Sequence, residues 1–305
     1  MTSINKCSPS RRAKMGNNKR CVSMTEMKSI AALYNSGLQE QLKVQGDIGG
    51  AKPIHPEAFA SEDALAAALN DRLSKSGCKD DACWIEQPFV KSSGDLYRKL
   101  SKNFIPRMPA TWKKRGKERE WLDTYDILSV MKQFEDKHSS YFSFLGVFPV
   151  DFATKGVCSL QMMCDFNLER LREKGKTSFG MVLNLDKHNE PGSHWVSIFC
   201  SIDRDSRKHG ICYYDSGGVK PPIEINNFMK TVHDQVNEPQ SFKPRYNPNK
   251  HQYQNTECGI FSMLFIIFCL ENPHRNYSEV RKILHDKKDK KDNGIHAYRS
   301  LLYRK

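Results

Sequence analysis

The chain has 305 residues, 38% of them hydrophobic and 10% aromatic, which is enough for a substantial core and excludes a wholly disordered polypeptide. Its length suits two domains of ordinary size, or one domain with an extension. Lys and Arg number 48 against 35 Asp and Glu, and a net charge of +13 favours acidic partners, nucleic acid first.

The opening stretch, MTSINKCSPSRRAKMG, has basic residues but no apolar run behind them, so it does not read as a secretory signal. Without one, the ten cysteines are expected as free thiols in a reducing compartment, which leaves one of them available as a nucleophile. Residues 1–22 carry Lys6, Arg11, Arg12, Lys14, Lys19 and Arg20 and no acid, the pattern of a flexible basic tail. A helix is expected over 24–45, with Met27, Ile30, Ala31, Tyr34, Leu38 and Leu42 on one face and Gly46 ending it. A second fits 62–75, capped by Ser61, with Glu62 and Asp63 in its first turn and Gly77 at its end. Cys78 and Cys83 can begin a metal site, but no second Cys/His pair follows at zinc-finger spacing, so no metal is expected.

Pro106, Pro109 and the charged run from Lys113 to Arg119 mark a boundary. The reading is a basic, mainly helical extension over 1–115 and a second domain over 116–305. Asp123 or Thr124 can cap a helix carrying Ile127, Leu128, Met131 and Phe134. Residues 144–152 read as extended, and FGMVLNL at 179–185 as a strand. In HWVSIFCSI, Val196, Ile198 and Cys200 alternate with Trp195, Ser197 and Phe199. A polar turn and the short strand ICYYD complete an antiparallel hairpin. Ile225, Phe228, Met229, Val232 and Val236 form a helical stripe, and a Pro-rich loop with Pro239, Pro244 and Pro248 follows. CGIFSMLFIIFCL, from Cys258, is apolar on every side and is expected as a buried central helix. At 11 residues, its apolar run over 260–270 falls short of the ~20 needed to span a membrane. Amphipathic segments close the chain, with Lys287 to Lys291 as a solvated charge run between them.

Three reactive groups stand at the edges of these buried elements. His194 opens one strand, Asp215 ends the next, and Cys258 begins the buried helix. An antiparallel hairpin returns Asp215 toward the His194 end. These residue types suit cysteine nucleophilic catalysis: a helix N-terminus and an imidazolium stabilise a thiolate, which is the attacking species. His194 would shuttle the proton and Asp215 would orient the ring. The oxyanion needs donors, for which the Cys258 N–H and the side chain of Gln252 or Gln254 are candidates.

The segments GSHWVSIF, YYDSGG and HQYQNTECGIFSM resemble the adenain and SUMO-protease group of cysteine proteases, in the chain order His, Asp, Gln, Cys. Trp121-Leu122 before the helix from Thr124 is similar to the segment that opens that catalytic domain, and the resemblance covers about 118–305. It is strongest to the polyprotein-processing proteases of large DNA viruses, such as that of African swine fever virus, a comparison that the CKDDACWIEQPFVK segment strengthens. It implies an α+β fold, a mixed and mainly antiparallel sheet on a buried central helix. It also implies His194 as base, Asp215 as third triad member and Cys258 as nucleophile. Gln252, six residues before the cysteine, would be the oxyanion donor, with Gln254 as the competitor. Trp195 would roof a narrow channel admitting glycine-like residues.

The expected activity is therefore cleavage after Gly-Gly-like sites without metal or organic cofactor, in viral structural polyproteins during virion maturation. The implied location is the host cytoplasm, viral factory and virion. Removal of ubiquitin or a SUMO-like modifier from host proteins keeps the same fold, as does acetyl transfer from a thioester. A non-catalytic DNA-binding or virion scaffold protein is the reading from another class, which an intact Cys258, His194 and Asp215 disfavour.

Overall fold

A computed structural model describes residues 6–16, 19–46, 49–154, 161–285 and 292–305. The charge run Lys287 to Lys291 lies outside the described residues. The chain divides into two compact units, residues 1–106 with Arg304 and residues 107–303 with Lys305. The division falls earlier than the composition shift at 115, because Trp112 is buried in the core of the second unit.

The first unit is helical. α1 (Met24–Gln45) begins with a capping box in which Ser23 and Glu26 satisfy each other's backbone N–H, and ends at Gly46 with φ 70°. Met27, Ile30, Ala31 and Leu38 are buried on it, while Leu42 is exposed, so the packed stripe stops a turn early. α2 (Glu62–Leu73) is capped by Ser61 as expected, and a 3-10 turn over Ser74–Ser76 closes at Gly77.

Two expectations fail here. Residues 6–16 and 19–22 are folded rather than tail-like: Pro9–Lys14 is helical, and Cys7, Ser8, Cys21 and Val22 are buried. The acids missing from the segment itself come from elsewhere in the unit, with Lys6 paired to Asp80 at 2.6 Å and Arg20 to Asp63 at 3.0 Å. The cysteines are not all thiols either. Cys7–Cys21 and Cys78–Cys83 are disulfides and Cys164 is disulfide-bonded, whereas Cys200, Cys212, Cys258 and Cys269 are free.

The second unit is built on a five-stranded sheet in the order β1-β2-β3-β4-β5. α3 (Thr124–Lys137), capped by Asp123 and Asp126, precedes β1 (Phe142–Pro149). β2 (Ser178–Asn184), β3 (Trp195–Ser201) and β4 (Gly210–Tyr214) pair antiparallel, with Asn184 opposite Trp195 and Ser197 opposite Tyr214. β1 runs parallel to β2, and β5 (Pro244–Tyr246) parallel to β4, so two antiparallel pairings form the centre of a mixed sheet and a parallel pairing closes each edge. β5 lies where the sequence reads as a Pro-rich loop; a proline is tolerated there because it is the first residue of the strand.

The period-two alternation of β3 does not separate core from solvent, because every residue of the strand is buried. It separates two cores. Trp195 and Phe199 pack into one cluster with α3 and the central helix, whereas Val196, Ile198 and Cys200 pack into another with α4 (Ile223–Asp234). The central helix α5 (Cys258–Glu271) is buried along nearly its whole length, as its uniform apolarity requires. α6 (Tyr277–Leu284) follows it.

Candidate active site

The β2–β3 pairing sets His194, whose carbonyl accepts the N–H of Leu185 at 2.9 Å just before β3 begins. β4 returns along β3, and Asp215 lies one residue past the last pair, Ser197 with Tyr214. His194 Nε2 donates to Asp215 Oδ1 at 2.7 Å. Asp215 is itself nearly fully buried and rigidly held. It accepts the N–H of Gly217 at 2.7 Å and of Val219 at 3.2 Å, and its carbonyl accepts Asn247 Nδ2 at 2.8 Å. The turn that permits this needs Gly218, which has φ +79° and whose added Cβ would meet the Asn249 backbone at 2.7 Å.

Cys258 is the first residue of α5 and also hydrogen-bonds His194. With Nε2 committed to Asp215, Nδ1 is the ring nitrogen left for the sulfur. The helix and the histidine strand are joined one turn further on, where Ser262 Oγ donates to the carbonyl of Trp195 at 3.0 Å. Gly259 allows the helix to approach closely: a Cβ there would lie 3.0 Å from Leu122 and 3.3 Å from Trp195. The three predicted groups, 64 positions apart at the extremes, are thus brought together by hairpin register and helix packing.

The electrostatics favour a charged imidazole. Burial acts to lower the His194 pKa. The hydrogen bond to Asp215, then the hydrogen bond and charge of Cys258, then the Asp215 charge outweigh it and raise the value from 6.5 to about 9. Burial acts to raise that of Asp215, but the His194 hydrogen bond, the Gly217 N–H, the His194 charge and the Val219 N–H hold it below its ordinary value. At neutral pH the ring is an imidazolium beside a carboxylate, aimed at a sulfur on a helix N-terminus.

The two glutamines differ in setting. Gln252 is buried; its Oε1 accepts Ser216 Oγ at 2.6 Å, its N–H donates to the Ser216 carbonyl at 2.9 Å, and its Nε2 donates to the carbonyl of Gln254. It is therefore tied to the residue after Asp215. Gln254 is exposed, and its Oε1 accepts Arg119 Nη1 at 3.1 Å. Trp195 is mostly buried, its Nε1 donating to the Leu122 carbonyl at 2.9 Å, and it lines a cleft of about 510 Å³ with Trp121, Asp123, His188 and Gly192.

Sequence reasoning missed the group just before Cys258. Glu257 is completely buried, and its carboxylate accepts Arg299 Nε at 2.8 Å and lies 3.0 Å from His296 Nδ1. Arg299 also donates to the carbonyls of Glu120 at 2.8 Å and Thr256 at 3.0 Å, and stacks over Trp112 at 4.3 Å. The available signal was a carboxylate directly before a long apolar run, which demands a buried cationic partner.

The family model of the Vaccinia virus I7 processing peptidase matches residues 240–305, which include Gln252 and Cys258. A protein of Acanthamoeba polyphaga mimivirus, provisionally named a thiol protease, is 29% identical over 279 residues, covering 87% of this chain and 84% of its own. A cysteine protease of African swine fever virus (isolate Tick/Malawi/Lil 20-1/1983) is 25% identical over 243 residues, covering 75% and 84%. The crystal structure of the African swine fever virus protease superposes with a TM-score of 0.63 at 20% identity, over 100% of this chain and 97% of that one. In sequence and fold the chain is similar to viral cysteine proteases of the adenain and SUMO-protease-like kind. The α+β fold inferred from the motifs holds. No helix among the described residues of the chain is long and apolar enough to cross a membrane.

Proposed function

We propose that this protease is an endopeptidase that cuts after small, Gly-Gly-like residues and processes viral structural polyproteins during virion maturation. One observation carries the reading: Cys258, at the first position of a buried helix, hydrogen-bonds a histidine that Asp215 fixes from the other side at 2.7 Å. The match to a viral processing peptidase and the viral relatives named as thiol or cysteine proteases support the reading.

In the mechanism, Cys258 Sγ attacks the scissile carbonyl carbon as the thiolate, and the carbonyl electron pair moves to oxygen. The Cys258 N–H and the Gln252 side-chain amide donate to that oxyanion. Gln252 is preferred over Gln254 because it is buried and anchored to Ser216, whereas Gln254 is engaged with Arg119. His194 gives its proton to the leaving amine as the C–N bond breaks, leaving a thioester. His194 then takes a proton from water, whose oxygen attacks the thioester and releases the carboxylic product and the thiolate. Asp215 keeps the ring oriented through both proton transfers. Trp195, beside Gly259, roofs the approach so that a Cβ on the substrate would clash.

The reading places the enzyme in the host cytoplasm, viral factory and virion. The basic surface is proposed to hold acidic partners there, nucleic acid among them, with a binding strength that falls as salt rises. Mass-spectrometric profiling of cleavage sites tests the whole reading, using a peptide library and fusions carrying SUMO or ubiquitin, with Cys258→Ala alongside. Cuts after Gly-Gly-like sequences in free peptides, absent in the variant, are expected. Cuts confined to the folded fusions would assign the enzyme to modifier removal instead, and no Cys258-dependent cut in either would sink the proteolytic reading.

A further inference from the structure

A second histidine–aspartate pair stands in the cleft beside Trp195. His188 Nδ1 is 2.6 Å from Asp151 Oδ2, and the His188 N–H donates to the other carboxylate oxygen at 3.1 Å. Asp151 is buried in the turn after β1, while the His188 side chain is half exposed and lines the cleft. Burial acts to raise the Asp151 pKa, but the hydrogen bonds from the His188 ring and N–H outweigh it and hold the value below the ordinary one. The carboxylate is thus ionised, and Nδ1 must be the donor in the pair. The remaining nitrogen, Nε2, has no hydrogen-bond partner among the described residues.

The loop that carries His188 is held by its own side chains. Asp186 accepts the N–H of Gly192 at 3.0 Å, Asn184 accepts that of Ser193 at 3.2 Å, and Glu190 accepts that of Lys187 at 2.7 Å. The neighbouring acids are therefore spent on the loop itself, whereas the imidazole keeps one nitrogen for a ligand. Gly192 (φ +93°) leaves no room for a Cβ, which would lie 2.8 Å from Asn184 Nδ2. An oriented polar group on a wall held in this way binds without paying for its own ordering.

We propose that His188, oriented by Asp151, is a substrate-binding residue whose Nε2 hydrogen-bonds the backbone of the peptide segment preceding the Gly-Gly-like residues. This rests on the proteolytic reading of the site. The path follows from position: Trp195 lies beside Gly259, next to the nucleophile, and also lines the cleft. Residues amino-terminal to those under Trp195 leave the channel into that cleft. The protease thereby grips any extended chain there, with little dependence on its side chains.

The test is equilibrium binding by fluorescence anisotropy in a Cys258→Ala background, where no peptide is cut. The probes are a fluorescein-labelled peptide with six residues ahead of Gly-Gly and one that begins at Gly-Gly. His188→Ala should weaken the long peptide by roughly three- to tenfold, the size of one neutral hydrogen bond, and leave the short one unchanged. His188→Gln, which retains a hydrogen-bonding group, should restore most of the loss. Equal losses for both peptides, or none for either, would overturn the proposal. Cleavage by the wild type, measured in parallel, reports separately on the proteolytic reading. The binding contrast stands or falls without it.

Discussion

His194 holds its proton at neutral pH only because two partners together outweigh its burial. The sign of the resulting pH dependence follows directly. The charged ring is present below about pH 9 and lost above it, so kcat/KM falls as pH rises through about 9. Replacing Asp215 by Ala removes both its hydrogen bond and its charge, each of which raises the histidine value. The alkaline limb of Asp215→Ala should therefore shift to lower pH, with kcat reduced by orders of magnitude as the ring loses its orientation. A pH–rate profile from 5 to 10 checks this, and an unmoved limb would show that Asp215 does not set the histidine's charge.

At the scale of elements, the helix that Cys258 opens is pinned near that end from two sides. Ser262 ties it to β3, and Glu257 ties its start to Arg299 near the end of the chain. A helix this apolar packs firmly but has few polar features of its own, Ser262 among them, to specify its rotation and axial position. The buried carboxylate, hydrogen-bonded to an arginine and a histidine, supplies that register. Removing one partner of such a pair strands a charge out of water. Arg299→Ala should therefore cost about 3 kcal/mol of stability by urea unfolding, somewhat softened by His296. Arg299→Lys should not restore it, since lysine cannot reach Glu257 and two backbone carbonyls in the same fork. A cost below about 0.5 kcal/mol, the size of an ordinary surface substitution, would show that the network is not structural.

At the scale of the molecule, the two units differ in chemistry. The cross-links Cys7–Cys21 and Cys78–Cys83 lie in the first, while the second holds the free thiols, Cys258 among them, together with the disulfide-bonded Cys164. Cys7 and Cys21 are 14 residues apart, and closing such a loop stabilises by about 3 kcal/mol in the chain-entropy account. Reduction should lower the melting of the N-terminal unit in calorimetry while leaving the rate of Cys258 alkylation unchanged. Equal melting in both redox states would mean that the 7–21 link contributes nothing.

Legibility in the sequence varied with the range of the physics involved. Helix ends were readable where caps and stops are local: Gly46 ends the first helix, Ser61 caps the second, Gly77 closes the turn after it, and Asp123 caps the third. The strand HWVSIFCSI and the buried helix were readable because period and uniform apolarity are properties of a short window. The basic N-terminal segment misled because its acidic partners, Asp63 and Asp80, lie far along the chain. The free-thiol expectation failed at Cys7 and Cys21 because pairing depends on where the fold places two distant side chains.

The sequence by itself determined the identities that make the chemistry possible. A histidine heads a strand, an aspartate ends its partner and a cysteine opens an apolar helix, each with the motif neighbours that carry the family resemblance. Only the tertiary structure decided which glutamine is anchored beside Asp215, what holds the helix of Cys258 in place, and that a second imidazole lines the cleft beside Trp195. Those outcomes depend on hydrogen bonds between residues 36 to 42 positions apart in sequence, such as Ser216 to Gln252, His188 to Asp151 and Arg299 to Glu257, and no local pattern encodes them.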